Sequence, residues 1–214
     1  VEAAEEEPGK TANYAVNVAG TRNLAQAAEK IGATLVYIST DYVFDGTKSD
    51  MYLETDAVNP KNEYGLAKYQ GEQAVREIMS HYYIVRTSWV FGKYGNNFVF
   101  TMMKLAQTHD KLTVVNDQIG RPTWTKTLAE FMGYAVEEKL AYGLYQLSND
   151  DSCSWYDFAC EILKDTQVQV EPVDSTAFPQ KAYRPKHSVM SLDKVKATGF
   201  EIPTWSEALK QAKL

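Results

Sequence analysis

The 214-residue sequence predicts an α/β fold, a doubly wound parallel sheet that is incomplete at its amino end, followed by a smaller α/β lobe. Short apolar runs alternate with long amphipathic stretches, the rhythm of βαβ units rather than of hairpins. The runs Leu35-Val36-Tyr37-Ile38 and Tyr82-Tyr83-Ile84-Val85 are continuously apolar, which suits strands covered on both faces. Past about residue 143 the texture changes to short elements and a tail punctuated by Pro172, Pro179, Pro185 and Pro203.

The elements follow in order. Residues 11–31 read as a long alanine-rich helix stopped by Gly32, and residues 35–38 as a buried strand. A loop rich in Asp, Gly, Thr and Pro spans 45–60 before a second long helix, 64–79, and the strand 82–85. Helices 98–106 and 127–138 flank a strand at 112–115. A short strand at 144–147 leads to the helix 155–164, and a loop-rich tail ends in the helix 206–213. The chain divides into 1–142, which carries the sheet, and 143–214, mainly a second lobe with interleaved segments.

Composition excludes several classes. Hydrophobic residues make up 44%, enough for a real core, and the net charge of −6 leaves no basic stripe for nucleic acid. No apolar run approaches the ~20 residues of a membrane span. The acidic start, Val1-Glu2-Ala3-Ala4-Glu5-Glu6-Glu7, is unlike a signal peptide, and its Glu5-Glu6-Glu7 run reads as a solvated loop. Cys153 and Cys160, seven apart on one face of an expected helix, read as buried thiols in a reducing cytoplasm. His81, His109 and His187 are scattered without zinc-ligand spacing, and no Gly-x-Ser-x-Gly elbow marks a hydrolase.

The chemistry concentrates in Tyr64-Gly65-Leu66-Ala67-Lys68, downstream of Ser39-Thr40-Asp41. A tyrosine four residues before a lysine shares a helix face with it. An ammonium beside a phenol lowers a pKa that is otherwise too high for acid–base work at neutral pH. Thr40 ends a strand, at the carboxyl edge where α/β proteins bind ligands, and its hydroxyl either orients a carbonyl or caps the following turn. These are parts for carbonyl reduction beside a nicotinamide, although Tyr-x-x-x-Lys alone is a weak signal. The Gly-x-x-Gly-x-x-Gly turn of a dinucleotide fold is not found, and the first element is a helix with no strand before it. The chain therefore reads as a fragment whose opening βαβ region, about 60 residues, lies outside it.

Three blocks carry a resemblance: Ser39-Thr40-Asp41-Tyr42-Val43-Phe44-Asp45-Gly46, Tyr64-Gly65-x-x-Lys68 and Arg86-Thr87-Ser88-Trp89-Val90-Phe91-Gly92. With them the sequence resembles the extended short-chain dehydrogenase/reductases, of Rossmann-like fold, and within these the dTDP-4-dehydrorhamnose reductase family. Asp117-Gln118-x-Gly120-x-Pro122-Thr123 and Tyr183-Arg184-Pro185 also fit. The resemblance implies that NADPH or NADH reduces the 4-keto group of a dTDP-deoxysugar. It makes Thr40, Tyr64 and Lys68 the catalytic set, with Tyr64 and Lys68 also touching the cofactor. Asp41 and Trp89 match positions that line the sugar site, and Gln118, Arg121 and Arg184 are candidates for the nucleotide sugar. Asn17, in Asn17-Val18-x-Gly20-Thr21, is expected to support the active-site strand. Residues 1–142 would be the remaining part of the dinucleotide-binding domain and 143–214 the substrate lobe. Some relatives use magnesium at a dimer contact, and a homodimer is a possible assembly; no magnesium ligands are assigned.

Two rivals are distinguishable. Sugar-nucleotide 4,6-dehydratases carry Thr-Asp-Glu where this chain has Thr40-Asp41-Tyr42, and a tyrosine does not replace that glutamate in an elimination. Regulatory subunits of methionine adenosyltransferase keep a similar Asp-Tyr-Val-Phe-Asp-Gly block but act as binding partners, with serine where Thr40 stands and no match to Arg86-Thr87-Ser88-Trp89.

Overall fold

Continuous apolar strands suggest cover on both faces; the run 82–85 meets this, whereas the run 35–38 leaves Ile38 exposed. The computed structural model describes residues 1–214. A long amino-terminal helix is built from α1 (Gly9–Tyr14), a π-helical stretch (Ala15–Gly20) and α2 (Thr21–Lys30). Then follow β1 (Leu35–Thr40), α3 (Glu63–Ile78), β2 (Tyr82–Thr87), β3 (Val90–Phe91), α4 (Phe98–Leu105) and β4 (Lys111–Val115). The chain continues through β5 (Ile119–Gly120), β6 (Thr123–Trp124), α5 (Thr125–Glu137), β7 (Gly143–Gln146), β8 (Cys153–Ser154) and α6 (Trp155–Leu163). It ends with β9 (Gln169–Val173), α7 (Asp193–Lys196) and α8 (Trp205–Ala212).

The main sheet runs β1-β2-β7, parallel throughout. Alternate residues of β2 serve opposite faces, as the two-residue period of a strand demands. Ile84 packs with Ala25, Tyr37, Val75 and Met79 beneath α2 and α3. Tyr83 and Val85 pack with Leu128, Phe131, Tyr145 and Leu147 beneath α5. The small pairs β3-β6, β4-β9 and β5-β8 lie outside the main sheet, each joining separated stretches of chain. A further core cluster gathers Phe91, Val99, Cys153, Phe158 and Ala208. No helix is long and apolar enough to cross a membrane.

Three local expectations change. Residues 169–173, read as part of the loop-rich tail, form the edge strand β9, paired in parallel with β4; Pro172, which lacks a donor, is tolerated at an edge. Cys153 lies on β8 opposite Gly120, not on a helix, and only Cys160 is on α6; both are free thiols. The acidic start leaves Glu6 and Glu7 exposed to solvent as expected, but it is anchored to other segments rather than loose. Glu5 accepts the Glu63 amide at 2.9 Å, Glu2 accepts the Lys181 and Ala182 amides at 3.0 and 3.2 Å, and Glu6 pairs with Lys181 at 2.6 Å.

Candidate active site

The register of the main sheet pairs Thr40 with Thr87, so the carboxyl ends of β1 and β2 finish side by side. A cavity of about 330 Å³ opens there, walled by Thr40, Asp41, Tyr64, Trp89, Trp155 and Arg184 among others. Five of the eight residues singled out from the sequence thus share one space.

Helix α3 delivers Tyr64 in its first turn. Asn62 caps the helix, accepting the Gly65 amide at 2.7 Å. A Cβ on Gly65 would stand 2.2 Å from the Tyr42 carbonyl oxygen, so only glycine lets the helix start seat on that backbone. The Tyr64 ring meets Tyr42 edge to face, with centroids 6.3 Å apart. Burial pushes the Tyr64 phenol above its ordinary range, the Asp41 carboxylate adds to this, and the nearby Thr40 hydroxyl opposes it. A phenol raised in this way holds its proton at neutral pH.

Lys68 does not lie against the cavity. Its ammonium stands 4.1 Å over the Tyr37 ring, and it is lowered to about 8 by burial, which the Glu72 carboxylate opposes. The expected lowering of Tyr64 by Lys68 is therefore not what sets the phenol in this arrangement.

Thr40 plays the capping role that the sequence left open. Its hydroxyl accepts the Tyr42 amide at 3.2 Å and donates to Asp41 Oδ1 at 3.1 Å. Asp41 is buried, with Oδ2 lacking any hydrogen-bond partner. Burial raises its carboxyl to about 6, against the hydroxyls of Ser188 and Thr40. Tyr42 is pushed up to about 12 by burial and by Asp41, with Arg184 opposing, so it stays a neutral phenol and not a base.

Beneath these groups lies a buried network that the sequence reading missed. Arg86 on β2 donates to Glu72 at 2.8 and 2.7 Å, and Ser39 on β1 donates to the same carboxylate at 2.6 Å. Glu72 lies four residues past Lys68, so the helix-face spacing that singled out Tyr64 and Lys68 extends to it. Asn17 bonds Asn13 at 2.9 Å, which in turn donates to the Glu63 carbonyl at 3.0 Å. Its support therefore goes to the start of α3 rather than to β1.

Arg184 arrives from the tail. Asn62 holds the Tyr183 carbonyl at 2.9 Å and the Tyr183 hydroxyl donates to the Asp45 carbonyl at 3.0 Å, fixing the segment. The guanidinium donates to the Tyr42 hydroxyl at 2.9 Å and to Glu2 at 3.1 Å. It also lines a second cavity of about 520 Å³, with Gln118, Phe178, Tyr183 and Lys186. Gln118 thus sits on this second cavity and not on the first. Arg121 is in neither; it donates to the Met190 carbonyl at 2.8 Å and faces Asp150 at 3.7 Å.

A nicotinamide dinucleotide finds a partial match. The partly buried Lys68 ammonium, held by a ring face, has the chemistry to bond a ribose hydroxyl, and Tyr64 lines the cavity at the strand ends. The 214 residues hold no glycine-rich turn for the pyrophosphate. No group of three or more His, Cys, Asp or Glu is placed to hold a metal ion.

The family described as RmlD substrate binding domain matches residues 1–213. This chain belongs to that family. A dTDP-4-dehydrorhamnose reductase of Aggregatibacter actinomycetemcomitans is 40% identical over 211 residues, covering 92% of this chain and 72% of that protein. Among solved structures, the Bacillus anthracis dTDP-4-dehydrorhamnose reductase in complex with NADP superposes with a TM-score of 0.94 at 43% identity, over 99% of this chain and 75% of that one. The Clostridium acetobutylicum dTDP-4-dehydrorhamnose reductase gives 0.95 at 43% identity with the same coverage. The resemblance read from the sequence blocks and the α/β fold class are both borne out, and the regulatory-subunit alternative is not favoured.

Proposed function

We propose that this chain carries the acid–base and sugar-binding groups of a reductase that converts dTDP-4-dehydro-L-rhamnose to dTDP-L-rhamnose with NADPH or NADH. The observation that carries this reading is Thr40, Tyr64 and Trp89 on one cavity at the carboxyl ends of parallel strands. The cofactor supplies the hydride. Tyr64, kept protonated by burial, gives its proton to the sugar O4 as negative charge develops there. Thr40 releases its bond to Asp41 and turns its hydroxyl to the same oxygen. Lys68, near 8 and so still cationic at neutral pH, holds the cofactor ribose. Trp89 offers an apolar ring to the pyranose.

Arg184 borders both cavities, and in this reading its cation lies between the sugar and nucleotide ends of the ligand. A guanidinium suits a pyrophosphate there, and Gln118 lies along the nucleotide side. Arg121 acts from behind, through the Met190 carbonyl, and Asp41 by holding Thr40. In this reading residues 1–142 form the cofactor side and 143–214 mainly the substrate lobe. The free thiols fit a cytoplasmic enzyme, and a homodimer is the assembly proposed.

The test is loss of NADPH absorbance on adding dTDP-4-dehydro-L-rhamnose to the complete enzyme. Turnover is expected, and Tyr64→Phe should lower kcat by about 10²- to 10⁴-fold, the range of a general acid, with dTDP affinity kept. Absence of turnover together with a stoichiometric protein partner would overturn the reading in favour of a binding subunit.

A further inference from the structure

The sugar wall rests on a residue that no motif singled out. Trp89 has φ of 45°, a left-handed backbone setting that a bulky side chain rarely adopts. Its indole lies parallel to that of Trp155, with centroids 3.6 Å apart and planes 11° from parallel. On another side it closes on Gly120, where a Cβ would stand 2.6, 2.7 and 2.9 Å from Trp89 Cε2, Cζ2 and Nε1. Trp155 is the first residue of α6, and that helix start is fixed by a reciprocal cap between Ser154 and Asp157. Phe98 braces the other part of Trp155, with centroids 4.7 Å apart. Both indoles border the cavity that holds Thr40 and Tyr64.

We propose that Trp155 is a positioning residue for the sugar: it clamps the Trp89 indole in its strained setting as the wall against which the pyranose ring of a nucleotide sugar lies. The proposal rests on the reductase reading above. An indole that is free to swing presents no fixed face to a ring, whereas one held by a stacked partner recognises the ring through its geometry. Trp155 therefore acts on the affinity for the hexosyl part of the ligand and not for its nucleotide part.

The experiment is a pair of calorimetric titrations on the complete enzyme, with dTDP-L-rhamnose and with dTDP, for wild type, Trp155→Phe, Trp155→Leu and Trp155→Ala. Trp155→Ala should weaken dTDP-L-rhamnose by about tenfold, a loss of the size expected for one ring–ring contact, and leave dTDP within about twofold. Trp155→Phe should restore most of the loss. All three variants should lose the indole–indole exciton couplet from the circular dichroism spectrum. Should the alanine variant fail to fold, Trp155→Leu keeps apolar volume on α6 without an aromatic face and carries the same test. Equal weakening of dTDP and dTDP-L-rhamnose, or no weakening of either, would overturn the proposal. A wild-type protein that binds dTDP-L-rhamnose no better than dTDP would instead overturn the sugar-site reading on which it rests.

Discussion

On the cavity wall formed by β1, β2 and α3, the side chains are fixed by a buried ion pair, while on the facing wall Trp89 and Arg184 are fixed by ring contact and by bonds near the surface. The first wall has Glu72 between Arg86 and Ser39, all three buried. The second has the Trp89–Trp155 stack and an arginine bonded to Tyr42 and to the exposed Glu2 side chain. In the proposed reading the contrast follows from what each wall does. Proton transfer to a carbonyl requires fixed distances, and a buried charge network holds three elements in one register. Recognition of a sugar face requires area and shape, which aromatic rings supply without bringing charge into the site.

The sharpest way to break this comparison is to remove one member of the ion pair. Glu72→Ala leaves the Arg86 guanidinium buried and uncompensated, and stability should fall by about 3–5 kcal/mol in denaturant unfolding. A loss under about 1 kcal/mol, the ordinary value of an exposed pair, would mean that the first wall is not held by charge. The next effect concerns Asp41, on the same wall. Its carboxyl is raised from 3.8 to about 6 in the fold, so the native state keeps a proton that the unfolded chain has released across that interval. Stability therefore falls as pH rises from about 4 to 6 and is level above that, by on the order of 3 kcal/mol from this group. Asp41→Asn should remove this slope, so that its stability relative to wild type improves from pH 4 to pH 7; an unchanging difference would show that Asp41 carries no such penalty. The smallest effect belongs to the second wall. Gly120→Ala forces a methyl against an indole that Trp155 prevents from yielding, and should destabilise by about 1–3 kcal/mol. A neutral result would show that the indole gives way and that the second wall is soft.

The two walls also differed in how much of them could be read in advance. Tyr64 was legible as part of a helix motif and Thr40 because a strand end marks the ligand edge, whereas the helix-face spacing did not bring Lys68 to the cavity. Glu72 obeys the same spacing one turn further on, so the sequence carries a signal for it too. Trp155 had no such signal. Its relation to Trp89 is made by β8 and α6 folding back on Gly120, a contact that no period in the sequence encodes. The same holds for β9, whose pairing with β4 is long-range and whose Pro172 argues against a strand when read alone. Arg184 was legible as a cation in a motif, but its position between two cavities was not. The helices and central strands, by contrast, came through because burial on both faces leaves a local trace.

The bonds from Glu2 to Lys181, Ala182 and Arg184 close nearly the whole chain into one ring. In polymer terms the closure is inexpensive, since doubling a loop costs only about 0.6 kcal/mol of entropy. Its demand is on sequence separation, because contacts between such distant residues slow the search for the native topology. The guanidinium that borders both cavities is thus tied into the most distant pairing in the chain, whereas the helix start that carries Tyr64 is capped by a bond spanning three residues. In the proposed reading, the acid rests on local contacts and the cation on contacts that span the chain.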